Sequence, residues 1–101
     1  MSAGDLTPGT RVDDDPAKWA ADQYPFPVLR PGEYGKRRDG VWMACLPKEP
    51  HDGFTYTGDF SRHDVKEHPD GTITVSPSIL VTDYAGSWHG YLEKGVWREV
   101  P

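Results

Sequence analysis

The chain has 101 residues, including ten prolines and eleven glycines, and its formal net charge at pH 7 is −5. This length supports one domain with a modest core, and the frequent prolines and glycines leave little room for long helices. Basic residues cluster only at Lys36, Arg37 and Arg38, which is too small a patch to be typical of proteins that hold nucleic acid through its phosphates.

Residues 1–32 are predicted to form an extended arm that carries one short helix. Asp14 or Asp15 is placed to cap a helix that begins at Pro16 and ends near residue 23, where further prolines stop it. A helix of two turns is stable only when it is docked, so we expect Trp19 to pack against the rest of the domain.

Residues 33–101 are predicted to form a single β-rich domain of short strands joined as hairpins. The first hairpin joins residues 33–37 to residues 40–46, because the Asp-Gly pair between them is a strong turn signal. Residues 54–57 are a further strand candidate. Cys45 is the one cysteine of the chain, and in a strand we expect it to be a small buried side chain.

A second hairpin is predicted around residues 68–72 (HPDGT), which suit a three-residue loop closed by a left-handed glycine. This turn places Val65 opposite Val75 and Glu67 opposite Ile73. One face of the pair is then largely apolar and the other is polar, as expected for antiparallel strands that cover a core.

The last third of the chain, residues 71–100, is the stretch around which we expect the sheet to form. Its final hairpin turns at residues 94–95, which places Leu92 opposite Trp97 on one side. On the other side Tyr91 faces Arg98, close enough for a cation–π contact.

These patterns together predict a mainly β fold: a small antiparallel, sandwich-like domain of about five to seven short strands, with one short N-terminal helix and an extended N-terminal arm. The predicted core consists of the apolar positions that face inward in this arrangement, namely Val41, Met43, Phe54, Val65, Ile73, Val75, Ile79, Val81, Leu92 and Trp97.

Catalytic and metal-binding motifs are weak in this sequence. There is no HExxH and no CxxC, and His63 and His68 lie five residues apart, on opposite faces of one predicted strand. We therefore expect no catalytic residue, no cofactor and no bound metal. The alternative is a metal-dependent enzyme that uses His89 with carboxylate partners.

Aromatic side chains outside the predicted core are candidate anchors for a protein partner. The candidate interaction residues are Trp19, Tyr24, Phe26 and Trp42, together with Trp88, His89, Tyr91 and Arg98 of the final hairpin. No secretory signal and no apolar run long enough to cross a bilayer is present, so we expect neither signal-directed secretion nor a membrane contact. The oligomeric state stays open, with a homo-oligomer among the alternatives.

Two motifs resemble a known family. The segment Thr72 to Leu80 (TITVSPSIL), followed by Trp88-His89-Gly90-Tyr91-Leu92-x-x-Gly95, is similar to a family of small proteins common in tailed bacteriophages and prophages. Its members carry a T-x-S-P-S-I-L strand and a [CW]-H-[GS]-[FYW]-[LV]-x-x-G hairpin. Some carry the label ammonia monooxygenase, for which these residues give no chemical basis.

The resemblance covers about thirty residues and implies a compact phage β-domain without an agreed activity. Many members have a cysteine where this chain has Trp88, in a pattern that suggests structural zinc. With Cys45 alone upstream, we expect Trp88 and Trp97 to fill the core instead of a metal.

The resulting functional hypothesis is a non-catalytic phage accessory or structural protein that acts through protein–protein contacts in the virion. The alternative is a host-directed binding protein made during infection, which would act in the bacterial cytoplasm. The sequence does not separate a partner in the phage particle from a partner in the host.

Overall fold

The computed structural model describes residues 5–19, 28–48, 56–83 and 86–100. Within these ranges the chain forms nine strands and one short 3-10 helix, Pro16–Lys18. The strands are β1 (Asp5–Pro8), β2 (Thr10–Arg11), β3 (Glu33–Lys36), β4 (Trp42–Cys45), β5 (Thr57–Asp59), β6 (Asp64–Glu67), β7 (Ile73–Asp83), β8 (Gly86–Glu93) and β9 (Val96–Glu99). The predicted mainly β fold is confirmed.

The strands form two sheets. The larger sheet has five strands in the order β1-β9-β8-β7-β6, all antiparallel. The smaller sheet has the order β2-β3-β4-β5, in which β2 runs parallel to β3 and the other pairs are antiparallel. The last third of the chain supplies β7, β8 and β9, which lie together at the centre of the larger sheet.

The predicted registers of the two later hairpins are confirmed. Val65 pairs with Val75 in β6 and β7, across a loop in which Gly71 has a φ of 90°. In β8 and β9, Leu92 pairs with Trp97, and Tyr91 pairs with its predicted partner. Turn residues therefore set these registers as the sequence indicated.

The main core lies where the two sheets face each other. Its centre is formed by Trp88 and Trp97, which meet edge to face with ring centroids 5.8 Å apart. The remaining buried members are Tyr34, Ala44, Leu46, Phe60, Ile73, Val75, Ile79 and Leu92. The expectation that both tryptophans fill the core is confirmed.

Most of the predicted core residues are buried. Met43, Ile73, Val75, Ile79, Leu92 and Trp97 are all at most 4% exposed, whereas Val41, Val65 and Val81 are only partly buried against the core. Phe54 lies outside the described residues. The prediction did not include Tyr34, which is 1% exposed and belongs to the main core.

Strand β4 is buried on both of its faces. Ala44 belongs to the main core, whereas Met43 and Cys45 point the other way and pack with Val12 and Leu29 in a second cluster. The outer face of the smaller sheet is thus covered by the segments that precede β3. The prediction that Cys45 is buried is confirmed.

The residues assigned to an N-terminal arm take part in both sheets over the described range 5–11. β1 pairs with β9 of the larger sheet and β2 pairs with β3 of the smaller one. Asp15 caps the 3-10 helix that begins at Pro16, as predicted, but this helix ends at Lys18 and the part predicted over residues 20–23 lies outside the described residues. Trp19 is docked, with its indole N–H donating to the carbonyl of Val12 at 2.9 Å.

The chain crosses between the sheets at a junction of glycines around Trp97. The N–H of Gly9 donates to the carbonyl of Gly95 at 2.8 Å, and a Cβ on Gly9 would lie 2.7 Å from that oxygen. The carbonyl of Gly32 accepts from the Trp97 indole N–H at 2.9 Å and from the N–H of Thr10 at 3.2 Å. One side chain of the larger sheet is therefore bonded directly to the backbone that leads into β3 of the smaller sheet.

Arg11 makes a second link between the sheets. From β2 its guanidinium reaches Glu67 of β6 at 2.6 Å and the carbonyl of Gly71 at 2.9 Å. It also pairs with Asp13 and lies 4.9 Å from the ring centre of Trp42. The hydrogen bonds from Arg11 hold the pKa of the Asp13 carboxyl below its ordinary value of 3.8.

Glycines at two positions make a matched test of this packing. A Cβ on Gly90 would lie 2.2 Å from the carbonyl oxygen of Arg98, whereas a Cβ on Gly58 meets no atom within 4 Å. We expect Gly90→Ala to lower the free energy of unfolding by roughly 2 kcal/mol or more, and Gly58→Ala to leave it unchanged or slightly raised. Urea denaturation of both variants measures this difference, and equal effects would contradict the packing described here.

Candidate interaction surface

The candidate site is the outer face of the five-stranded sheet, the side turned away from the core. Side chains alternate along each strand, so the neighbours of the buried Trp88, Leu92 and Trp97 point outward. Three apolar side chains are open to solvent on this face: Leu6 is 67% exposed, Leu80 is 65% exposed and Val96 is 37% exposed. The central strands therefore present an amphipathic surface rather than a purely polar one.

Tyr91 and Arg98 form the centre of this face. The guanidinium carbon of Arg98 lies 4.5 Å from the centre of the Tyr91 ring, which confirms the predicted cation–π contact. The same guanidinium pairs with Glu93 at 3.2 Å. Leu6 is the β1 partner of Arg98, so an exposed leucine stands beside the stacked pair.

His89 lies on the same face and is held by neighbouring side chains. Its Nε2 is 3.1 Å from the hydroxyl oxygen of Ser78 on β7, and its ring is 6.4 Å from that of Tyr91. A hydroxyl–imidazole contact of this length also occurs in nucleophile–base pairs, but such pairs have a third group that orients the base. The described residues give His89 no hydrogen bond to a carboxylate, and the Ser78 contact holds the ring on the outer face of the sheet.

No metal-binding group of three or more His, Cys, Asp or Glu side chains is found within the described ranges. Over the same residues, no helix has the length and hydrophobicity needed to cross a membrane.

The structure brings together three of the candidate interaction residues, His89, Tyr91 and Arg98. Trp88 points inward from the same strand and is only 2% exposed. Trp19 is half-buried against the second cluster. These two tryptophans therefore serve the interior rather than this surface.

Trp42 occupies a different part of the molecule. It is half-buried in the smaller sheet, where Arg11 and Lys36 approach its ring at 4.9 Å and 5.8 Å. Tyr24 and Phe26 lie outside the described residues.

Sequence reasoning missed two exposed leucines of the site. Leu80 follows Ile79 and precedes Val81, and in a strand with alternating faces the middle residue of three apolar ones must point away from the other two. That pattern could have identified Leu80. Leu6 could not be found in this way, because its position depends on the pairing of β1 with β9, some 90 residues away in the chain.

Two neighbouring residues of β8 test the assignment of the faces. We expect His89→Ala to change the free energy of unfolding by less than about 1 kcal/mol, because this side chain lies on the outer face. Trp88→Ala removes a buried ring and is expected to cost about 3–5 kcal/mol. Chemical denaturation measures both values, and an equal loss in the two variants would show that His89 belongs to the core.

Comparison with known proteins gives no relative from which this surface could be interpreted. No protein-family model matches the chain, and neither the curated proteins nor the solved structures contain a significant match. The function is therefore inferred from the residues of the surface and from the motifs on β7 and β8.

Proposed function

We propose that this chain is a non-catalytic accessory or structural protein of a bacteriophage particle, which acts through protein–protein contacts made by the outer face of its larger sheet. The observation that carries the proposal is the pair of exposed leucines, Leu6 and Leu80, on either side of the stacked Tyr91 and Arg98. Tyrosine and arginine are enriched among the residues that contribute most to protein–protein affinity.

The geometry of the stacked pair favours binding. Arg98 is held by both the Tyr91 ring and Glu93, so its long side chain has less freedom to lose when a partner covers it. Covering the two leucines removes apolar surface from water, which is the main favourable contribution in such contacts. A partner that packs on this face would gain from both effects.

The phage setting of the proposal is supported by the two family-like motifs. These motifs lie on adjacent strands, where Leu80 pairs with His89 and Ile79 with Gly90. Ser78 of the first motif touches His89 of the second. The motif positions therefore build one continuous region, partly core and partly outer face, which is consistent with a shared structural role.

The test is to measure the protein in purified particles of the phage that encodes it. Peptide mass spectrometry should find the wild-type chain at a constant copy number per particle. The double variant with Leu6→Glu and Arg98→Ala should be depleted by at least about tenfold, since losses of this size are typical when interface anchors are removed. Val28→Ser is the matched control. Val28 is also an exposed apolar residue, at 53%, but it lies beside the segment that covers the smaller sheet and not on the outer face of the larger one.

Three results would contradict the proposal. Incorporation of the double variant at the wild-type level would exclude the outer face as the contact. Depletion of the Val28→Ser control to the same extent would show that the effect is not specific to this face. Absence of the wild-type chain from particles, with abundant chain in the infected-cell lysate, would instead favour a host-directed binding protein.

A further inference from the structure

Strand β7 has one edge that is only partly paired. Among the described residues, β6 pairs with β7 only from Ile73 to Ser76, and residues 79–83 pair with β8 alone. Pro77 stands between these two parts and has no N–H to offer a neighbouring strand. The second half of β7 thus behaves as an edge strand inside a five-stranded sheet.

Hydrogen bonds show which backbone groups face this edge. The N–H of Val100 donates to the carbonyl of His89 at 2.8 Å, so the backbone groups of His89 point toward β9. Leu80, the β7 partner of His89, is then in a non-hydrogen-bonded pair, and its N–H and C=O point away from β8. Because this direction alternates along a strand, Thr82 presents its N–H and C=O to the same edge.

One position of the edge already has a partner, and it confirms this alternation. The Nε2 of His63 lies 3.3 Å from the carbonyl oxygen of Ser78, two residues before Leu80. The His63 ring packs edge-on against Phe60 at 5.7 Å. Its buried Nδ1 has no hydrogen-bond partner among the described groups.

A cleft of about 410 Å³ runs between this edge and strand β5. Its apolar lining is formed by Ala44, Leu46, Tyr56, Phe60, Ile79, Leu80 and Val81. Gly58 also lines it from β5, and as the partner of the buried Ala44 it lies on the inner face of its sheet. A Cβ built on Gly58 meets nothing within 4 Å, so an inward-facing position without a side chain leaves space here.

We propose that this cleft binds an extended segment of a protein partner, which adds to the five-stranded sheet as a new strand along Leu80 and Thr82. The inference rests on the proposed function, since it specifies how a protein contact is made. Backbone hydrogen bonds to Leu80 and Thr82 would supply the pairing, as in other cases of strand addition. The side chain between the two paired residues would enter the cleft opposite Gly58.

The chemistry of the cleft specifies the bound segment. Its apolar walls require a large apolar side chain at the inward position and tolerate polar side chains at the outward ones.

A second copy of the chain fits this cleft less well than a partner segment does. If two copies paired through β7, the inward residues of the incoming strand would be Ile79 and Val81. Ile79 is 4% exposed and Val81 packs against the core of its own copy, so neither is free to fill the cleft of another. The space opposite Gly58 would stay empty in such a dimer.

The experiment uses a library of linear twelve-residue random peptides, displayed on yeast and selected against the full chain. Enriched peptides should alternate apolar and polar residues, with a large apolar residue at the inward position, and should bind again as synthetic peptides. Leu80→Pro removes the N–H at the edge, and Gly58→Leu fills the cleft. Each should weaken peptide binding by at least about tenfold, whereas the controls Val28→Ala and Lys66→Ala, at exposed positions that do not line the cleft, should bind within about threefold of the wild type.

The other outcomes overturn the inference. Failure to enrich any peptide, or peptides that bind Leu80→Pro and Gly58→Leu as well as the wild type, would exclude strand addition at this site. A dimer of the wild-type chain that Leu80→Pro dissociates would assign the edge to a second copy. Gly58→Leu keeps the test valid if Leu80→Pro does not fold.

The same variants separate this inference from the proposed function. One combination is that no peptide binds at the β7 edge, while the wild-type chain is found in particles and the outer-face double variant is depleted. In that case the strand-addition site is wrong and the proposed function stands. If peptides bind the edge but the chain is absent from particles, the virion role is wrong and the site stands.

Discussion

The hydrogen bond from the Trp97 indole to the carbonyl of Gly32 is the contact on which the rest of the fold depends. Trp97 is fully buried at the centre of the larger sheet, and Gly32 ends the turn that leads into β3 of the smaller one. A buried indole N–H without an acceptor is costly, so this bond fixes the distance and angle between the sheets. Gly9 lets the backbone pass close to the Trp97 ring, because a Cβ on Gly9 would lie 3.0 Å from the indole nitrogen.

The two sheets that meet at this junction differ in how their faces are buried. In the smaller sheet, strand β4 is buried on both faces, because Val12, Leu29 and Trp19 cover its outer side. The larger sheet is buried on its inner face and carries exposed leucines on its outer one. Its long strand β7 also extends beyond the end of β6, which leaves backbone groups and a cleft at one edge. The binding surfaces proposed above follow from this asymmetry.

Turn residues predicted the hairpins from the local sequence. Pairing between strands that are far apart in the chain could not be predicted in this way. The loop at residues 68–72 and the turn at Lys94-Gly95 set registers that the structure confirms, because each is decided within a few residues. The pairing of β1 with β9 is decided across the whole chain and leaves no local signal. For the same reason His89, Tyr91 and Arg98 could be grouped from the sequence, whereas the exposed Leu6 and the space at Gly58 could not.

A buried aromatic junction fixes the larger sheet against the smaller one, while the β7 edge of the larger sheet stays open. Residue-resolved amide hydrogen exchange is the most direct test of this open edge. The account predicts that the N–H groups of Ile79 and Val81, which point toward β8, exchange at least about tenfold more slowly than those of Leu80 and Thr82. The N–H of Trp97 in β9 serves as a protected reference. Equal protection along residues 79–82 would show that another part of the molecule covers this edge, and would contradict the account.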